Sequence, residues 1–148
     1  VLKNEQTRLS DQHGRYTPLV IKISPDLISP QIEQIAQLLI KHRMDGVIAT
    51  NTTLSRDGVD NLPHSSENGG LSGMPLAARS NTVIQLFAEH LQGAVPIIGV
   101  GGIMQPADAQ SKIAAGASLV QLYSGLVYQG PGLVTETLKT LCGKPIHD

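Results

Sequence analysis

Several residues of this chain are of types that a plain hydrophobic core does not need, and they fall at the ends of apolar runs. In "PIIGVGGI" (96–103), a strand-like run meets Gly101 and Gly102. Glycine weakens a strand and packs nothing against the core. Between a strand and a helix, its backbone N–H groups can face an anion, and a missing Cβ lets a phosphate come close. Tyr123-Ser124-Gly125, after the next apolar run, would add neighbouring N–H groups. A tight turn at positive φ explains the same glycines equally well.

Lys22 interrupts "LVIKIS" (19–24), sharing a face with Val20 and Ser24 on a two-residue period. Both faces of a barrel strand are largely covered, so Lys22 is expected to be buried. A buried ammonium needs an anion or strong acceptors, and it could stabilise negative charge developing on a cofactor. The alternative is a side chain that reaches water at the strand end. "ATNTT" (49–53) sets Asn51 and three threonines just after a second strand. An amide donates and accepts at once, so Asn51 could match an imide or carboxamide edge; an Asx or ST turn is the structural alternative. "ENGGLSGMPL" (67–76) ends a loop longer than most connections, and such loops are often functional. Its Gly69, Gly70 and Gly73 could bring backbone to a ligand or serve as hinges.

These residues need elements to hold them, and the hydrophobic pattern supplies strands alternating with helices. After a helical tail, strands are expected over 18–24, 45–51, 95–100 and 118–123. Helices are expected over 29–43, 75–91, 106–116 and 130–142. The first of these has Ser29 as N-cap and Pro30 at the first helical position. Near-continuous Val/Ile/Leu strands separated by helices indicate an α/β fold with a parallel sheet. Four units fit a small open doubly wound sheet or half of a (β/α)8 TIM barrel, whose full size is about 250 residues. In both, ligands bind at the C-terminal ends of the strands, where the unusual residues lie. In barrels the loops after the last two strands frequently form a phosphate site.

At 148 residues and 41% hydrophobic, the chain can build one core and not two ordinary domains. A net charge of -1, with acids and bases interspersed, gives no footprint for nucleic acid or a polybasic membrane patch. No apolar run approaches the roughly 20 residues that span a bilayer, and the polar start is unlike a signal peptide. The single Cys142 excludes an internal disulfide framework and points to a reduced, cytoplasmic setting. His42 and His90 end expected helices, where a cation suits the dipole. His13, His64 and His147 lie in polar segments. None has a partner at metal-ligand spacing, so no metal site is expected.

Taken in order, "VIKISPDL", "DGVIATNTTLSR", "GGLSGMPL", "VPIIGVGGI" and "GASLVQLYSGLVYQGPGLV" resemble the C-terminal half of dihydroorotate dehydrogenases of the quinone-linked, membrane-associated class. The similarity runs from about Tyr16 to Leu141. It implies an FMN-dependent (β/α)8 barrel that oxidises dihydroorotate to orotate in pyrimidine synthesis and passes the electrons to quinone. Carried over residue by residue, Lys22 would lie beside the flavin and stabilise its reduced, anionic form. Thr50 would also contact FMN. Asn51 and Thr52 would bind the pyrimidine. Gly73, Gly102, Tyr123 and Ser124 would hold the ribityl phosphate, with Gly101 adjacent.

The resemblance also implies what this chain does not carry. The family's catalytic base, a serine in this class, is expected on the N-terminal half, together with further cofactor contacts and the quinone-receiving helices. No catalytic residue is therefore assigned here. Residues 1–148 are expected to be the side of the barrel that holds strands 5 to 8. Any peripheral inner-membrane association would belong to the rest. The alternative of another class is a non-catalytic half-barrel that at most binds FMN or phosphate. A flavodoxin-like module fits less well, because no strand is followed by a hydroxyl-rich phosphate loop. With two open strand edges, the isolated chain is expected to self-associate.

Overall fold

The computed structural model describes residues 1–143; His147 lies outside them. Helix α1 spans Leu2–His13 and is followed by strand β1 (Val20–Ile23) and helix α2 (Ser29–Lys41). Strand β2 (Gly46–Ala49) leads through a long loop to a 3₁₀ turn (Met74–Leu76) and helix α3 (Ala77–Leu91). Strand β3 (Ile97–Val100), helix α4 (Pro106–Ala114), strand β4 (Leu119–Gln121) and helices α5 (Ser124–Gln129) and α6 (Gly132–Cys142) complete the described chain. The four strands lie side by side in sequence order, all parallel. This is the expected α/β arrangement.

The register sorts the strand residues onto two unlike faces. Ile21, Ile23, Val47, Ala49 and Ile97 point to the helices, and Val47 and Ala49 are fully buried. Phe87 and Ile84 of α3 and Ile32 and Ala36 of α2 meet them in one continuous core. The opposite row runs Lys22, Ile48, Ile98, Leu119 straight across the sheet. No helix among the described residues covers it, and Leu119 is 61% exposed. Helices on one face only are what one side of a barrel presents.

Three local expectations need correction. Ser29 is not the N-cap of α2; Ile28 is, and the Gln31 side chain accepts its N–H at 3.1 Å. That helix stops at Lys41 because Arg43 turns to positive φ. The segment after β4 does not wait until residue 130 to become helical. It forms the short α5, then breaks at Gly130 (φ 73) and Pro131 before α6. A six-residue helix spans under two turns, too short to leave a readable hydrophobic period.

Candidate functional site

The loops at the C-terminal ends of the strands enclose a cavity of about 220 Å³. Lys22, Thr50, Asn51, Thr52, Gly73, Gly101, Gly102, Tyr123 and Ser124 all line it. The residues carried over from the resemblance therefore meet in one place, although they span a hundred positions of the chain, whereas Gly69 and Gly70 of the long loop do not line it. Ser72, Leu76, Val100, Ile103, Gln121 and Gly125 complete the wall. Lys22 is the only lysine, arginine, aspartate, glutamate or histidine in that lining. The lining thus combines the apolar Leu76, Val100 and Ile103 with polar groups and backbone and carries one positive charge, which suits a ligand with an apolar body and an anionic group.

Each side chain has a local reason for its place. Lys22 projects from the edge strand onto the uncovered face and is exposed, contrary to the expected burial. The barrel argument assumed that both faces were covered, and here only the outer one is. Thr50 is 1% exposed. Its N–H donates to the Val100 carbonyl at 3.0 Å, and its hydroxyl donates to the Asn51 carbonyl at 2.9 Å. Asn51 N–H donates to the Ile23 carbonyl at 2.7 Å, so strands β1, β2 and β3 jointly fix this corner. Asn51 Oδ1 accepts the Thr52 N–H at 2.9 Å. The local-turn reading thus accounts for its carbonyl, while the amide NH₂ makes no hydrogen bond among the described residues.

The glycines divide by purpose. A Cβ on Gly102 (φ 73) would lie 2.7 Å from Ala77 N, and one on Gly101 (φ 116) 2.9 Å from Leu76 Cδ2. Their missing side chains make room for the start of α3, so close approach of a ligand is not needed to explain them. What they offer the cavity is backbone. Among the described residues, the N–H groups of Gly102, Ser124 and Gly125 have no hydrogen-bond acceptor. Gly70 packs directly on Thr52, where a Cβ would fall 1.9 Å from Oγ1. Gly73 (φ 81) opens onto the cavity, and Ser124 Oγ donates to Ser72 Oγ at 3.0 Å beside it.

The loop between β2 and the 3₁₀ turn is held from inside. Arg56 donates to the carbonyls of Ser65, Glu67 and Gly69 at 2.8–3.0 Å. Asp26 accepts the Leu54 N–H at 2.8 Å and an Arg79 N–H at 3.1 Å, and the Thr53 hydroxyl also donates to it. Burial opposes ionisation of Asp26, but these donors together hold its carboxyl below the ordinary value. Remote residues thereby fix the loop that carries Gly70 against Thr52.

Sequence reasoning missed a buried cation behind the site. Lys112 of α4 is 1% exposed. Its ammonium donates to Ser80 Oγ at 3.0 Å and Asn81 Oδ1 at 2.9 Å. Burial pulls its pKa down to about 8, with Asp108 opposing the shift. The signal was its place three residues after Ala109, on the helix stripe that faces the sheet. Elsewhere, the exposed His64 pairs with Glu67, and Cys142 is exposed at the end of α6. No helix among the described residues is long and apolar enough to cross a membrane.

Residues 2–143 match the family profile described as dihydroorotate dehydrogenase. Over 99% of its length the chain is 68% identical to the dihydroorotate dehydrogenase (quinone) of Nitrosomonas eutropha. It is 67% identical over the same share to that of Nitrosomonas europaea. In each case it spans 43% of the relative's length. Among solved structures, the dihydroorotate dehydrogenase of Eimeria tenella in complex with ferulenol superposes with a TM-score of 0.82 at 36% identity. That match covers 87% of this chain and 34% of the other.

Proposed function

This chain belongs to the dihydroorotate dehydrogenase family, and we propose that it forms the FMN-binding side of a quinone-linked enzyme that oxidises dihydroorotate to orotate. The observation that carries the reading is the convergence of Lys22, Asn51, Thr52, Gly102 and Ser124 on one cavity whose single charge is positive. The cavity fits FMN chemically: it offers free backbone N–H donors for a phosphate at one end and an ammonium at the other. When bound, FMN would accept the electron pair released by dihydroorotate and deliver it to quinone.

The chain's own residues do the positioning. The N–H groups of Gly102, Ser124 and Gly125, which lack internal partners, would receive the phosphate, with Gly73 and Tyr123 beside them. Lys22 would place positive charge where negative charge develops during reduction. The Asn51 amide and Thr52 hydroxyl would donate to the oxygens of the pyrimidine and its carboxylate. Thr50, buried and tied to β3 through its N–H, would form the floor between cofactor and substrate. The lining contains no carboxylate, imidazole or thiol. The base expected for this class is a serine, and neither lining serine, Ser72 or Ser124, is assigned that role: the base and the quinone contacts are proposed to come from the part of the relatives that this chain does not span.

The test is Lys22→Ala in the full-length protein, loaded with FMN and mixed anaerobically with dihydroorotate. Flavin reduction slows by about 10²-fold or more, the scale for losing one preorganised charge partner, while FMN affinity changes little. Unchanged reduction kinetics would remove the role assigned to Lys22.

A further inference from the structure

A lysine ammonium sealed between two helices and a sheet demands a reason. Lys112 has no carboxylate within salt-bridge distance among the described residues. Its partners are the neutral oxygens of Ser80 and Asn81. Such a group is costly to bury, and an apolar residue would fill the space more cheaply. The sheet also yields to it. A Cβ at Gly99 would lie 3.1 Å from Lys112 Cβ and Cδ, so a glycine sits in mid-strand where the lysine stem passes.

The hydrogen bonds lead in one direction. Lys112 Nζ donates to Ser80 Oγ, and Ser80 Oγ donates to the Val100 carbonyl at 2.5 Å. That carbonyl also accepts the Thr50 N–H at 3.0 Å. Val100, Gly101, Gly102 and Thr50 all line the cavity. We propose that Lys112 is a positioning residue: through Ser80 it locks the Val100 carbonyl, and thereby sets the Gly101–Gly102 turn that presents backbone N–H groups to the FMN phosphate. A charged donor strengthens the hydroxyl it binds, and a chain of such bonds is stiffer than its members alone. The geometry explains why a cation is retained where none touches solvent.

This inference rests on the flavin reading, so its test separates the two. FMN and riboflavin are titrated into the full-length apoprotein, since riboflavin lacks only the phosphate. Wild type, Lys112→Met, Ser80→Ala and the double variant are compared. Each single change lowers the preference for FMN over riboflavin by about tenfold, the scale of one charge-assisted hydrogen bond. The double variant falls no further, because both act through one relay. A preference unchanged in both single variants, or losses that add, would overturn the proposal. If Lys112→Met does not fold, the preference of Ser80→Ala decides alone. Wild type that binds FMN no better than riboflavin would instead remove the phosphate reading beneath it.

Discussion

At the scale of single residues, type and position at a strand end were enough to find the cavity. Lys22, Asn51 and Gly102 stand out because each is wrong for a core at its position, and the fold gathers them. The cause of each oddity was less legible. Nothing in "GVGGI" shows that the residues pressing on its glycines are Leu76 and Ala77, which come from another element. That difference has a consequence. Gly102→Ala must place a Cβ 2.5 Å from Ala77 Cβ at φ 73, a left-handed conformation that alone costs about 1–2 kcal/mol. The apoprotein should lose at least that much stability with no flavin present, measured by denaturant unfolding. A loss seen only in the flavin-bound protein would mean that the glycine serves the ligand and not the packing. Lys112 was hidden for a related reason: its partners Ser80 and Asn81 are ordinary helix residues until α3 and α4 are set side by side.

At the scale of elements, the strands and the long helices follow from hydrophobic period, while joints and short pieces do not. The attachment of α1 is a case where one residue does the joining. No residue of α1 is buried, so packing does not hold it. Instead Asp45, just before β2, accepts the Leu19 N–H at 2.7 Å, Gln6 at 2.9 Å, Lys3 at 3.4 Å and the Tyr16 hydroxyl. The Tyr16 hydroxyl first, then the Leu19 N–H, Gln6 and Lys3, hold its carboxyl well below the usual range, with burial opposing. A depressed carboxyl stabilises the fold fully above its unfolded value of about 4, and that contribution is lost as pH falls toward the folded value. Acidification below about pH 4 should therefore loosen α1 before the core opens. Asp45→Asn should bring the loosening to neutral pH, read as faster amide exchange across residues 2–13. Exchange in α1 that ignores both changes would mean that other contacts hold it.

At the scale of the whole molecule, helices on one face and an open row of Lys22, Ile48, Ile98 and Leu119 on the other describe a sheet that covers its outside and leaves its inside free. The chain spans 43% of the Nitrosomonas relatives, and the open row and the unpaired edges of β1 and β4 offer the surface on which the rest of a barrel would close. The sequence pattern revealed the alternation of strands and helices, but period alone does not separate a half-barrel from an open sheet. The residue motifs made that distinction, and the uncovered face agrees with it. Function is proposed to divide in the same way: the glycine and serine N–H groups proposed for the phosphate, the Lys22 ammonium and the Asn51 amide proposed for the substrate lie together in this chain, and the base is proposed to lie outside it. One titration tests that division most directly. FMN is added to the isolated 148-residue chain, flavin fluorescence is followed, and dihydroorotate is then introduced without oxygen. Saturable binding of FMN, with no bleaching by dihydroorotate, is the expected result. Bleaching by the chain alone would contradict the placement of the base, and absence of FMN binding would contradict a self-contained phosphate site.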